Sequence, residues 1–268
     1  MGPAGPGDKP APAAPLYCAI PPYRVPMRPK PRRLLRLVLL LVASWLALSV
    51  LVVFVLRFVP PWTSSVMLQD RLTAMLDGDH SFQFRHRWVP RESISPYVGI
   101  AMVAGEDQKF PFHHGFDVDA IQDAIDAADE GKRLRGASTI SQQVAKNLFL
   151  WNGRSFVRKG LEAWYTVLIE ALWPKKRILE VYMNSVELGD GIYGVGAASE
   201  VYFHTTPDRL NATQAARLAA VLPNPERFRV DAPSAYVQRR VAWILQQMGQ
   251  LGGPAYLDRP APVRGRVR

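Results

Sequence analysis

Gly105-Glu106-Asp107-Gln108-Lys109-Phe110-Pro111-Phe112-His113-His114-Gly115-Phe116-Asp117 places three carboxylates and two imidazoles within one short segment. The apolar run Val98-Gly99-Ile100-Ala101-Met102-Val103-Ala104 leads into it and reads as a buried helix, so Glu106 falls at a helix C-terminus. Partial burial and the negative end of the helix dipole both raise a carboxylate pKa there, toward the working range of a general base. The plain alternative is a surface acid paired with Lys109 at i+3. The segment reads as the edge of an active site on a mainly helical framework.

Outward from this segment the helical spacing continues. Leu148, Leu161, Val167, Leu168, Leu172, Ile178, Val181 and Tyr182 recur at three- and four-residue steps, and alternating β-branched runs are scarce. The spacing predicts helices at 96–108, 117–131, 139–150, 155–173, 175–185, 193–203, 211–222 and 234–250. The stretch 66–89 is less periodic and takes no assignment. Gly189, Gly191, Gly194 and Gly196 mark a turn and a close approach between backbones.

Toward the N-terminus, Leu37 to Leu56 is a run of twenty uncharged residues. At about 1.5 Å per residue it spans roughly 30 Å, the thickness of a bilayer core. The run continues into Arg57-Phe58-Val59-Pro60-Pro61-Trp62 with no small-residue cleavage site, so an uncleaved membrane anchor is expected rather than a signal peptide. Lys9, Arg24, Arg28, Lys30, Arg32, Arg33 and Arg36 precede it against Asp8 alone, which places the N-terminus in the cytoplasm. The expected organisation is a basic, Pro-rich and disordered tail at 1–33, a transmembrane helix at 34–58, a catalytic domain at 59–252 and a tail at 253–268.

The arm before Leu37 carries +6 of the net charge of +10, and most of the rest sits on Arg259, Arg264, Arg266 and Arg268. The high basicity therefore belongs to membrane topology and gives no support for a nucleic-acid partner. Cys18, the single cysteine, precedes the anchor, so the outer domain has no disulfide and is held by packing.

Three further constellations carry candidate chemistry. In Gly136-Ala-Ser-Thr-Ile-Ser-Gln-Gln-Val-Ala-Lys-Asn147, Thr139 and Gln142 fit a capping box, and Thr139, Gln143 and Lys146 share one face opposite Ile140, Val144 and Leu148. That polar row offers donors and one cation for sugar hydroxyls, amides or phosphate, or it is an ordinary solvated face. Arg154-Ser-Phe-Val-Arg158-Lys159-Gly-Leu-Glu162 puts cations beside a second carboxylate, suited to neutralising a departing diphosphate, although Arg158 and Glu162 also fit an exposed i,i+4 pair. Lys176 to Gly189, followed by its glycines, reads as architecture. No histidine pair has metal-ligand spacing.

Taken together and in this order, these segments resemble the peptidoglycan glycosyltransferases, the biosynthetic transglycosylases. The patterns E-D-x-x-F-x-x-H-x-G, G-x-S-T-I-x-Q-Q-x-x-K-N, R-K-x-x-E and I-L-E-x-Y-x-N followed by G-x-G-x-x-G stand at Glu106 to Gly115, Gly136 to Asn147, Arg158 to Glu162 and Ile178 to Gly194. Ala215 to Pro225 is a fifth matching piece, and Met183 replaces the usual leucine, a volume-conserving change.

The resemblance implies a mainly α, lysozyme-like fold with two lobes, the smaller facing the membrane. It implies an enzyme that transfers a growing lipid-linked glycan onto the 4-hydroxyl of lipid II, forming β-1,4 bonds with inversion and releasing polyprenyl diphosphate. Glu106 matches the general base and Glu162 the second carboxylate. Ser138, Thr139, Gln142, Gln143 and Asn147 are expected to line the sugar groove, with Lys146, Arg154, Arg158 and Lys159 at the diphosphate. Asp107, Phe110, His113 and Gly115 are expected to support the Glu106 turn. No cofactor is obligatory, and the metal requirement stays open, with room for magnesium or manganese at the diphosphate. Partners implied are lipid II, the lipid-linked glycan, the membrane, transpeptidases, and division or elongation proteins. The expected location is the bacterial inner membrane with a periplasmic catalytic domain. No serine has lysine three positions on and no Lys-Thr-Gly occurs, so a monofunctional enzyme is expected. A lytic enzyme and a non-catalytic scaffold are the competing readings; the former has no use for the cluster of Lys146, Arg158 and Lys159.

Overall fold

In the computed structural model, which describes residues 1–2, 31–120, 122, 126, 138–153 and 155–259, the apolar run is helix α1, Pro31–Leu56. Its stretch Arg33–Leu56 is long and apolar enough to cross a membrane. Up to Ser44 the chain forms one unit, in which Leu34 to Val42 of α1 expose their side chains. From Trp45 onward it forms a second, and all that follows concerns that body.

The last turns of α1 are tied into the body. Val53 is fully buried, and its carbonyl accepts from Trp173 Nε1 at 2.7 Å. Ser49 Oγ accepts from Trp164 Nε1 at 3.1 Å. Leu56 O accepts from Arg177 Nη2 and Val59 O from the same nitrogen, each at 2.8 Å. Of the four carbonyls that end the helix, those of Val53, Phe54 and Val55 accept from the backbone of the following turn, and that of Leu56 is satisfied by the Arg177 side chain.

Helices α2 (Ser65–Asp77), α3 (Pro96–Glu106), α4 (Ile140–Phe149), α5 (Phe156–Leu172), α6 (Lys175–Ser185), α7 (Gly194–Phe203), α8 (Ala212–Val221) and α9 (Ala235–Leu251) build the body. Seven of the eight helices expected from the spacing stand within two residues of their predicted bounds. The expected 96–108 helix stops at Glu106, where Asp107 leaves helical geometry with φ −157°. The predicted helix at 117–131 lies mostly outside the described residues, as do Arg154 and most of both tails.

α3 is apolar all round and buried from Val98 to Ala104, so it forms the centre of the core, packed on α8 and α9. α4 packs on α2, α5 and α6. The starts are capped by side chains: Thr139 with Gln142 and Asn211 with Gln214 form complete capping boxes, and Ser155 caps α5.

The unassigned stretch 66–89 contains α2 and strand β1 (Arg85–His86). With β2 (Glu187–Gly189) and β3 (Ile192–Tyr193) it makes a small sheet in the order β1-β3-β2. β1 runs parallel to β3, pairing Arg85 with Ile192 and His86 with Tyr193, while β2 and β3 form an antiparallel turn with a bulge. Buried Asn184 fastens this sheet to the helices. Its Nδ2 donates to Val89 O at 2.9 Å, its Oδ1 accepts from Val89 N at 2.8 Å, and His86 Nε2 donates to its carbonyl at 3.0 Å.

Candidate active site

Glu106 ends α3 with its side chain turned into a cleft of about 770 Å³, lined also by Gly105, Ser138, Gln143, Pro223, Tyr236, Arg239, Arg240 and Trp243. The side chain is 16 % exposed, enough to meet a substrate while most of its hydration is lost. Both oxygens are held: Gln143 Nε2 donates to Oε2 at 3.2 Å and Arg240 Nη2 to Oε1 at 3.0 Å. Burial raises the Glu106 pKa above the ordinary carboxylate value, opposed by the Arg240 charge and by both hydrogen bonds. Lys109 is not its partner; that ammonium faces Asp119 at 2.8 Å and Asp117 at 3.5 Å.

Gln143 is itself oriented, because Tyr182 OH donates to its Oε1 at 3.0 Å. Tyr182 stands in the segment read from sequence as architecture, and it reaches the site through this one bond.

One helical turn further along α4 stands Lys146, whose charge interacts with Glu162, Arg158 and Lys159 of α5. Glu162 is buried, with Arg158 Nη1 on Oε2 at 2.9 Å and Lys159 on Oε1. The Arg158 side chain is only 13 % exposed, so this is not the solvent-exposed helix pair that the spacing also allowed. Burial lowers the Lys146 pKa, and the Glu162 carboxylate works against that fall. α4 therefore joins two groups: a held carboxylate at Gln143 and a cation-rich, buried carboxylate at Lys146.

The expected sugar-groove residues divide. Ser138 is exposed on the cleft and Gln143 is half-buried beside it. Thr139, Gln142 and Asn147 are instead buried, with Thr139 Oγ1 donating to Gly115 O at 2.6 Å and Gln142 Oε1 accepting from Thr139 N at 3.0 Å. For Thr139 and Gln142 the physical reason is the capping box: the side chains that close the helix start are the ones the groove would need.

The supporting residues form one network. His113 Nε2 donates to Asp107 at 2.9 Å, Gly115 N donates to His113 Nδ1 at 3.1 Å, and Asp107 Oδ2 accepts from Ile140 N at 2.9 Å. Phe110 is buried beneath it. Asp107 thereby satisfies an orphan amide at the start of α4 and pins that start next to the end of α3. Asp107→Ala strands two buried donors and is expected to cost about 2 to 4 kcal/mol, with a smaller loss for Asp107→Asn, read as a lower thermal midpoint in detergent. An unchanged midpoint would contradict this network as drawn.

The family described as transglycosylase matches residues 73–249, a span that contains both carboxylates and the helices that hold them. The chain belongs to that family. The transglycosylase is 55 % identical over 229 residues to the biosynthetic peptidoglycan transglycosylase of Xanthomonas campestris pv. campestris (strain B100), covering 85 % of this chain and 93 % of the relative. It is 53 % identical over 228 residues to the protein of that name from Chromohalobacter salexigens, covering 85 % and 97 %. With the protein of that name from Pseudomonas syringae pv. syringae (strain B728a) it shares 55 % over 210 residues, covering 78 % and 89 %. The mainly helical, lysozyme-like fold expected from the sequence is the fold of this transglycosylase.

Two contributors were missed by sequence reasoning. Arg240 and Tyr182 sit in amphipathic helices whose spacing announces packing, and each meets its partner across more than thirty residues of sequence, 134 for Arg240 and 39 for Tyr182. The adjacent arginines Arg239-Arg240 were the available signal. Among the described residues a second groove, about 590 Å³ and lined by Arg85, Asp190, Glu200 and His204, shares no residue with the cleft.

Proposed function

We propose that this transglycosylase of peptidoglycan acts by polymerising lipid II, with Glu106 as general base and the Glu162 cluster at the departing diphosphate. The observation that carries the reading is α4, which bonds the base through Gln143 and, one turn on, sets Lys146 among Arg158, Lys159 and Glu162. The acceptor 4-hydroxyl attacks the anomeric carbon of an α-linked polyprenyl-diphosphate donor and gives its proton to Glu106. The anomeric C–O bond breaks, its electron pair leaves with the diphosphate, and the new bond is β-1,4. A diphosphate leaves without a proton donor, so cations are what its side of the site requires. Lys146, Arg158 and Lys159 supply them, and Glu162 holds the last two in place.

We derive no step through a divalent cation. Both Glu162 oxygens already bond Arg158 and Lys159, and among the described residues no three His, Cys, Asp or Glu side chains gather as a metal cage.

The membrane belongs to the same reading. α2 exposes Leu68, Leu72, Met75 and Leu76 along one face, and Gln69 bonds the 150–152 loop that leads to exposed Phe156 and Val157. With the basic arm cytoplasmic, the catalytic body lies on the periplasmic face of the inner membrane, and the apolar face of α2 rests on the leaflet that carries the substrate.

Detergent-solubilised protein given labelled lipid II is expected to yield long, size-resolved products that lysozyme removes. Cleavage of preformed glycan with no polymer formed would favour a lytic enzyme instead, and no reaction on either substrate by folded protein would favour a scaffold.

A further inference from the structure

Helix α9 carries none of the candidate site residues read from the sequence, yet among the described residues it delivers the one cation that bonds the candidate base. Arg240 Nη2 lies 3.0 Å from Glu106 Oε1 and 3.3 Å from Gly105 O, gripping both the carboxylate and the last turn of α3. The two side chains are 19 % and 16 % exposed, so their attraction is weakly screened by solvent. Among the described residues Arg240 Nε is buried with no acceptor, a cost that a side chain retained for packing has no reason to carry.

We propose that Arg240 is a positioning residue for Glu106: a cationic clamp on the α9 wall that fixes the carboxylate's orientation and supplies the charge against which it takes up the acceptor's proton. The proposal rests on reading Glu106 as the base.

The geometry leaves little freedom to the carboxylate. Gln143 from α4 holds Oε2 while Arg240 from α9 holds Oε1, so the proton must arrive on a lone pair that neither donor occupies. As the carboxylate is neutralised the ion pair loses its negative member, whereas the guanidinium stays charged. Arg240 therefore favours the ionised base at rest and opposes its protonation. Burial acts in the other direction, together with the Asp107 charge on the adjoining residue. Among the described residues the other ionisable groups facing the pair are Tyr182 of α6, which burial keeps protonated, and Arg239, which lines the same cleft. Asp107 is further engaged by His113.

The test is the pH–rate profile of lipid II polymerisation by the full-length solubilised protein, comparing wild type with Arg240→Met and Arg240→Gln. Both neutral variants are expected to move the acid limb to higher pH. They should lose at least about tenfold at neutral pH, with the deficit narrowing as the pH rises. Arg240→Lys, which keeps the charge and loses the fork, is expected to leave the limb closer to wild type. Thermal melting identifies the variants that fold, and either neutral variant alone decides the matter. A parallel loss at every pH with the limb unmoved would assign Arg240 a purely structural role and overturn the proposal, as would wild-type rates throughout. Glu106→Gln is run beside them: wild-type turnover in that variant would remove the base itself, an outcome distinct from any movement of the limb.

Discussion

Glu106→Gln is expected to reduce polymerisation by about 10²- to 10⁴-fold, the range a positioned general base contributes. The amide keeps the size of the carboxylate and an oxygen for Arg240, and it loses the capacity to take a proton. The substitution also presents one N–H to a donor, since both Gln143 and Arg240 donate to this group. A modest stability cost follows, with the cleft otherwise in place. The measurement is initial rate at saturating lipid II beside a melting curve. Residual activity within tenfold of wild type, in protein that melts normally, would remove Glu106 from the chemistry. The pH dependence has a defined sign. Burial raises the pKa of Glu106, so the fraction of ionised base, and the wild-type rate with it, falls away at a pH above that of a water-exposed glutamate.

The second large effect concerns stability. Gly194 opens α7 with φ +75°, and a Cβ there would lie 2.5 Å from Asn184 O and 2.9 Å from its carbon. Gly194→Ala combines a left-handed backbone with a collision against main chain, which has no flexible end to move aside. The expected loss is about 3 kcal/mol or more. It should reach the site, because Asn184 clamps Val89 and follows Tyr182, the residue that orients Gln143, by two positions. Gly160→Ala is the matched contrast: this exposed glycine lies inside α5 with open space where a Cβ would stand, so alanine is expected to be neutral or to stabilise by up to about 1 kcal/mol. Thermal midpoints of the two variants should move in opposite directions or, for Gly160→Ala, not at all. A Gly194→Ala protein as stable as wild type would refute the close approach.

The sequence is most legible where a property is local. The apolar run of α3 and the capping box at Thr139 act over a few residues, and the helices they predict are present. In the stretch 66–89, α2 carries an apolar row, Leu68, Leu72, Met75 and Leu76, that faces outward and was left unassigned, while the strand could not be read because it has two residues and exists only by pairing with Ile192 and Tyr193, more than a hundred positions on. No period is expressed in so short an element. Within the site, Glu106 and the cluster of Arg158, Lys159 and Glu162 announce themselves by residue type and neighbours in the chain. Arg240 could not, since its role consists of a meeting between α9 and α3. Gln142 illustrates a different limit: its motif fits both a helix cap and a sugar contact, and only the buried bond to Thr139 N shows which use its side-chain oxygen has.

The fastening of the last turns of α1 has a consequence for the body that starts at Trp45. Trp164, Trp173 and Arg177 seize carbonyl and hydroxyl oxygens from Ser49 to Val59, so this end of the helix moves with α5 and α6 as one piece. Trp164 lies two residues past Glu162 on the same helix, so whatever displaces the end of α1 is felt by the helix that carries Arg158, Lys159 and Glu162, as a knock on one end of a plank is felt along its length.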